Sequence, residues 1–314
     1  KIRKPNYQKL ESLWKEINKK YLMFYQKNID KEIEKALPSI LEDGVFSRMS
    51  VSSERSEIEV DEEGASVVCE ANVTYLVHGR NMLYHEFLKR ASKGTSISIE
   101  MIHKAICEYA KNHKEFNNDL INDLTLSQLI GKFRDWKINN LGGCISYKQA
   151  NYRAKTTALT NADGSVRDEV VMGRLGKKTD NSKVPSEYLY EPIAFDSPLE
   201  RTNILDKIDV AELVVYGKIP NSSIRIPTIT DETYSPDFMY VVKKKDGTMQ
   251  MNVVIETKDV NQDTDLRPKE SAKIDCAKLF FEQISKDNPS LPVKFERQIN
   301  RQRMNDIIDR LLTR

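Results

Sequence analysis

The sequence predicts an α/β protein, with a mixed, largely helical first region followed by a mixed sheet flanked by helices. Three observations carry this. Early apolar residues recur every three or four positions, the period of a helix with one buried face. From Tyr190 onward the pattern runs helix, three strands, helix, strand and a last helix. The apolar stretch from Tyr234 to Lys258 is also split by Asp246-Gly247, the strongest short hairpin signal.

In chain order, Leu10, Leu13, Trp14, Ile17, Tyr21 and Phe24 form one apolar helical stripe. A second helix is expected over Ile29 to Leu41, bent or divided at Pro38. Ile58 and Val60 alternate as a strand before a turn at Glu63-Gly64. Helices return from Met82 to Lys137, carrying Ile102, Ile106, Leu129, Phe133 and Trp136. Asp163-Gly164 marks a hairpin. The polar stretch from Gly173 to Glu187 is the best candidate boundary, separating a region 1–187 from a region 188–314. Beyond it lie a helix over Ser197–Lys207, the strand "AELVVYG", two strands around Asp246-Gly247, a helix over Pro268–Ser285, the strand "PVKFERQI" and a terminal helix.

Composition narrows the function classes. A chain of 314 residues can form two ordinary domains, and 39% hydrophobic with 31% charged residues describes a globular protein. No apolar run approaches the ~18 residues of a membrane helix, so no membrane partner is expected. The formal charge of +2 leaves nucleic-acid binding to local basic patches. Cys69, Cys107, Cys144 and Cys276 are scattered without a C-x-x-C pair, which suits reduced thiols in cytoplasm. His103 and Cys107 share a helix face but lack a second ligand pair, so they read as ordinary helix residues. The G-x-x-x-x-G-K-[ST] phosphate loop is absent from these residues, and the start at Lys1 reads as a cut from a longer chain.

The hairpin from Tyr234 to Lys258 carries the chemistry. With Asp246-Gly247 as a two-residue turn, Lys245 faces Thr248, and the same register sets Asp237 opposite Glu256. Facing Cβ atoms lie about 4.5–5.5 Å apart. Lys258 shares the face of Glu256 because strand side chains alternate. Two facing carboxylates repel unless a cation lies between them, and such oxygen ligands suit Mg²⁺. A metal there can polarise a phosphoryl oxygen, and a neighbouring lysine can orient or deprotonate water and offset developing charge. The bland alternative is an edge strand starting at Asp237, with Glu256 and Lys258 paired on a solvated face. Asp135-Trp136-Lys137 is a decoy of the same spacing inside a helix.

These residues resemble the PD-(D/E)XK nuclease superfamily, with Pro236-Asp237 and Glu256-Thr257-Lys258 as its signature on an α-β-β-β-α-β core. More narrowly, "YLYEPIAFDSPLE", "VVYGKIPNSSIRIPTIT", "TYSPDFMYVV" and "VVIETK" resemble the C-terminal part of the Res subunit of Type III restriction enzymes. The resemblance is specific from about Tyr188 to Ile299, and nothing in the matched signature departs from the family pattern. It implies a Mg²⁺-dependent endonuclease domain over 188–314 that cuts double-stranded DNA. ATP would enter only through a helicase-type motor outside these residues, to which 1–187 would connect. A modification (Mod) methyltransferase subunit would be the partner that reads the DNA sequence. Asp237 and Glu256 would hold metal, the backbone carbonyl of Thr257 would be a further ligand, and Lys258 would activate water.

Glu200 has two readings. Some superfamily members place a metal-site glutamate on the first core helix, but Ser197-Pro198-Leu199-Glu200 also spells a helix start with a capping box. Lys269, Lys273, Arg297 and Arg301 are candidate DNA contacts, against a default of solvated charge. On the second core helix, Ile274, Phe281 and Ile284 form the expected buried stripe. The competing function is a nuclease-fold interaction module that docks Mod or DNA without catalysis. A nuclease for RNA or structured DNA is a third.

Overall fold

A computed structural model describes residues 1–53, 56–61, 64–69, 73–76, 82–151, 156–247 and 250–313, with backbone only for 50–53, 56–61, 64–69, 73–76 and 263. The elements in order are α1 (Lys4–Ile17), β1 (Tyr21–Tyr25), α2 (Ile29–Glu42), β2 (Ser50–Ser53), β3 (Ser56–Asp61), β4 (Gly64–Cys69) and β5 (Val73–Leu76). Then come α3 (Tyr84–Thr95), α4 (Ile99–Asn112), α5 (Asp123–Leu141), β6 (Ile145–Gln149), β7 (Lys178–Asp180), β8 (Ile193–Phe195), α6 (Pro198–Leu205) and β9 (Glu212–Lys218). The chain closes with β10 (Ile226–Pro227), β11 (Thr233–Tyr234), β12 (Phe238–Lys243), β13 (Gln250–Lys258), α7 (Pro268–Asp287), β14 (Val293–Ile299) and α8 (Met304–Thr313). They form two compact units, one of residues 27–139 and one of residues 1–26 with 140–314.

In the unit of 27–139, Ile33, Leu37, Phe87, Ile102, Ile106, Leu129 and Phe133 meet in one apolar core. The helical spacing of these residues is the reason α2, α4 and α5 form where they do. Ser98 caps α4, its hydroxyl accepting from the Met101 amide at 3.2 Å. α2 runs unbroken through Pro38 to Glu42, so the proline does not divide it. β3 and β4 pair antiparallel, but the turn residue Glu63 lies outside the described residues. Cys107 Sγ lies 3.6 Å from the ring nitrogens of His103, whose Nδ1 is 2.8 Å from the Tyr84 hydroxyl.

The other unit is built on a four-stranded sheet in the order β14-β13-β12-β9. β9, β12 and β13 run antiparallel, while β14 is parallel to β13 and is reached through α7, the crossover a parallel pair requires. Phe238 to Val242 are buried without alternation, as in a central strand covered on both faces. The sheet-facing stripe of α7 contains Ile274, Phe281 and Ile284, with Cys276, Ala277 and Phe280 also buried.

One sequence expectation changes here. The first stripe is not one helix. α1 ends at Ile17, where Asn18 returns its side-chain amide to the Trp14 carbonyl at 2.9 Å, and Tyr21–Tyr25 pairs with β6 as β1. The aromatic run "YLMFY" has strand propensity that the helical spacing concealed. The compact unit carrying 188–314 also takes in flanking segments. Asn6 donates to the carbonyls of Ser186 and Tyr188 at 2.7 and 2.9 Å, and β7 pairs with β8.

Candidate active site

The β12–β13 register sets Phe238 opposite Ile255 and Lys243 opposite Gln250, which carries Asp237 to Glu256 at the next step. The turn closes by a bond from the Gly247 amide to the Lys244 carbonyl at 2.8 Å, with Gly247 at φ +72°. That left-handed backbone is what glycine supplies without steric cost. Thr248, the expected partner of Lys245, lies outside the described residues.

Asp237 is held tightly. Its Oδ2 accepts from the Thr257 amide at 2.8 Å and the Thr257 hydroxyl at 2.6 Å. Its backbone bonds reach both neighbouring strands, donating to the Ile255 carbonyl and accepting from the Ile219 amide. Burial pushes its pKa up, as does the charge of Glu200, while the bonds from Thr257 and the charge of Lys218 oppose the shift.

Glu256 is 4% exposed. Its Oε1 lies 3.0 Å from Lys258 Nζ, and its Oε2 is buried with no hydrogen-bond partner among the described residues. Burial, followed by the charge of Asp237, raises its pKa to about 8. The buried Tyr234 hydroxyl lies beside it without a close hydrogen bond, and its pKa is raised by burial, then by the Glu256 charge and a weak side-chain hydrogen bond to Glu256. Burial acts to lower the pKa of Lys258, but the charges of Glu256, Glu270 and Asp237 outweigh it and raise the pKa.

An oxygen so placed fits a metal ligand. A buried carboxylate oxygen without a donor, on a group already crowded by a second carboxylate, is costly unless a cation completes it. Asp237 and Glu256, with the Thr257 backbone carbonyl, are hard oxygen donors of the kind Mg²⁺ takes. Among the described residues, no group of three or more His, Cys, Asp or Glu side chains converges to hold a metal.

Glu200 is 6% exposed, and its Oε2 is engaged twice. It accepts from the Asp196 amide at 2.6 Å and from Lys218 Nζ at 2.6 Å. Ser197 Oγ accepts the Glu200 amide at 3.2 Å, so the helix start is capped. However, the reciprocal bond goes to the residue before the cap, not to the cap itself. Lys218 was not singled out in the sequence. It is 1% exposed, with Nζ also 3.6 Å from Asp196 Oδ2. Its only sequence signal is a lysine closing the apolar strand "AELVVYGK".

The candidate DNA contacts divide. Lys269 and Lys273, one turn apart on α7, both pair with Glu232, the latter at 2.5 Å. These two bonds hold the pKa of Glu232 down at about 2. Arg297 lies beside Glu256 in the β13–β14 register. Arg301 lines a cavity of about 460 Å³ together with Asn203, Gln298 and Arg303.

Comparison with known proteins shows what this region is similar to. Residues 186–302 match a family model described as an endonuclease domain. This segment is similar to that family. The matched segment includes every candidate site residue from Glu200 to Arg301. Across 95% of its length, the chain is 34% identical to the Type III restriction-modification enzyme EcoPI Res subunit of Escherichia phage P1. Over the same share, it is 33% identical to the EcoP15I Res subunit of Escherichia coli. Over 92% it is 20% identical to the StyLTI Res subunit of Salmonella typhimurium. The chain spans about a third of the length of these curated relatives, 31%, 31% and 29% respectively. No solved structure is a significant match. Among the described residues, no helix is long and apolar enough to cross a membrane.

Proposed function

We propose that residues 188–314 are a Mg²⁺-dependent nuclease of the PD-(D/E)XK type that hydrolyses phosphodiester bonds of double-stranded DNA, as the cleavage module of a Type III restriction assembly. The observation that carries this is the buried Oε2 of Glu256, which has no close hydrogen-bond donor among the described residues, on a carboxylate set opposite Asp237 and beside Lys258. The α6, β9, β12, β13, α7, β14 order and the similarity to Res subunits support it.

Asp237 and Glu256 would hold the ion, with the Thr257 carbonyl as a third oxygen. When bound, Mg²⁺ supplies a Lewis acid for the phosphoryl oxygen and lowers the pKa of its water. Thr257 fixes the direction of the Asp237 carboxylate through two bonds. Lys258, its pKa raised, stays an ammonium at neutral pH. It therefore orients the attacking water and offsets charge on the phosphate. Arg297, Arg301, Lys269 and Lys273 are the proposed phosphate contacts.

In this reading residues 1–187 connect the nuclease to an ATP-driven motor, a Mod subunit supplies sequence recognition, and the assembly works in the cytoplasm. The test is Mg²⁺ titration by calorimetry on this chain, together with cleavage and ATPase assays on the full assembly. Asp237→Ala and Glu256→Ala should each abolish cleavage and weaken Mg²⁺ binding while ATPase activity persists. Cleavage by either variant refutes the assignment.

A further inference from the structure

Glu200 sits on the first core helix facing the site, yet its carboxylate is already occupied by a cation of the protein itself. Lys218 Nζ lies 2.6 Å from Glu200 Oε2 and 3.6 Å from Asp196 Oδ2, bridging two carboxylates. At 1% exposure, Lys218 has no route to water as an alternative partner. A charge this buried persists only when it is paired.

α6 cannot readily turn Glu200 elsewhere. Ser197 Oγ takes the Glu200 amide, and the Asp196 amide donates to Glu200 Oε2. Further along, Asn203 and Gln298 exchange two side-chain bonds, and the Tyr216 hydroxyl donates to the Ile204 carbonyl. The pair is also next to the proposed metal carboxylates. Lys218 faces Phe238 across the β9–β12 ladder, and the following amide, Ile219, donates to the Asp237 carbonyl at 2.7 Å.

Some nucleases place two metal ions about 3.5–4 Å apart, each held by carboxylates. We propose that the Lys218 ammonium occupies, on Glu200, the position a second metal ion would take, so that this site holds one divalent cation on Asp237 and Glu256. Lys218 is then a positioning residue: it neutralises Glu200 and keeps that carboxylate out of the coordination shell. The inference rests on the metal-site reading proposed above.

Mg²⁺ titration calorimetry on this chain, with Mn²⁺ counting by electron paramagnetic resonance, tests it. Wild type should bind one ion per chain. Glu200→Gln should also bind one, with Kd changed by less than about twofold. Lys218→Met releases Glu200 and should bind a second ion, which is lost again in the Lys218→Met, Glu200→Gln double variant. A purely structural ion pair would move the melting temperature but not the metal count. Two ions on wild type, about tenfold weaker binding in Glu200→Gln, or a folded Lys218→Met that still binds one ion overturns the inference. If Lys218→Met does not fold, the first two measurements decide. Absence of Mg²⁺ binding by wild type would instead overturn the metal-site reading itself, and the inference with it.

Discussion

Lys258 Nζ lies 3.0 Å from Glu256 Oε1, while the other oxygen of the same carboxylate, Oε2, is buried without a hydrogen-bond partner among the described residues. One oxygen faces an ammonium, and the other is the one proposed to meet the metal ion. The two halves of the proposed chemistry thus meet on one side chain.

That arrangement separates the roles of the two residues. Lys258→Ala should abolish cleavage while Mg²⁺ affinity is kept, since an ammonium is not a ligand. Lys258→Arg should rescue poorly, because a planar fork does not replace a compact charge at 3.0 Å. Cleavage assays and calorimetry on the same preparations check this, and near wild-type cutting by Lys258→Ala would return the lysine to an ordinary surface role.

The raised pKa of Glu256 gives a pH dependence for the metal-free protein. Folding lifts this carboxyl from its ordinary value of 4.5 to about 8, so between those limits the folded chain binds the proton more tightly than the unfolded one. Its contribution to stability is present below the unfolded pKa and is lost as pH rises through 8. In EDTA, the melting temperature of wild type should therefore fall from pH 5 to 8 more steeply than that of Glu256→Gln. Parallel curves would show that Glu256 ionises normally.

How much of this was legible in the sequence follows from where each constraint is stored. The β12–β13 register is local: a glycine turn and strand alternation are enough to bring Asp237 to Glu256. β1 was hidden because the spacing of Tyr21 and Phe24 fits a helix, and only pairing with β6, more than a hundred residues away, makes it a strand. Lys218 ends a strand and reads as exposed. Its burial depends on Glu200 and Asp196, which a linear pattern does not place beside it. The same holds for Lys269 and Lys273, whose shared partner Glu232 comes from the segment before β11.

Glu232 supplies a test of those lysines. Its side chain is 41% exposed, so each ion pair contributes less than about 1 kcal/mol to stability. Glu232→Gln should therefore fold normally. If Lys269 and Lys273 meet phosphates, the released pair should raise DNA affinity and steepen the slope of log K against log salt by up to about 2. Fluorescence anisotropy on a DNA duplex with Ca²⁺ in place of Mg²⁺ measures both quantities. An unchanged slope would make the pair a link between α7 and the Glu232 segment only.

The last prediction concerns Thr257, whose side chain holds Asp237 from the neighbouring strand. Its hydroxyl donates to Asp237 Oδ2 at 2.6 Å, and its amide donates to the same oxygen at 2.8 Å. Thr257→Val keeps the shape and the amide bond but deletes the hydroxyl donor, so Asp237 stays buried with one bond fewer. The loss of a bond to a charged group costs about 1.5–3 kcal/mol of stability. A group that orients a metal ligand typically changes metal affinity or activity by about 10–100-fold, so cleavage and Mg²⁺ affinity should fall together by that order. Thr257→Ser keeps the hydroxyl and should restore most of both. If Thr257→Val loses stability but binds Mg²⁺ as wild type does, the threonine serves the fold alone, and Asp237 owes its orientation to the backbone amide.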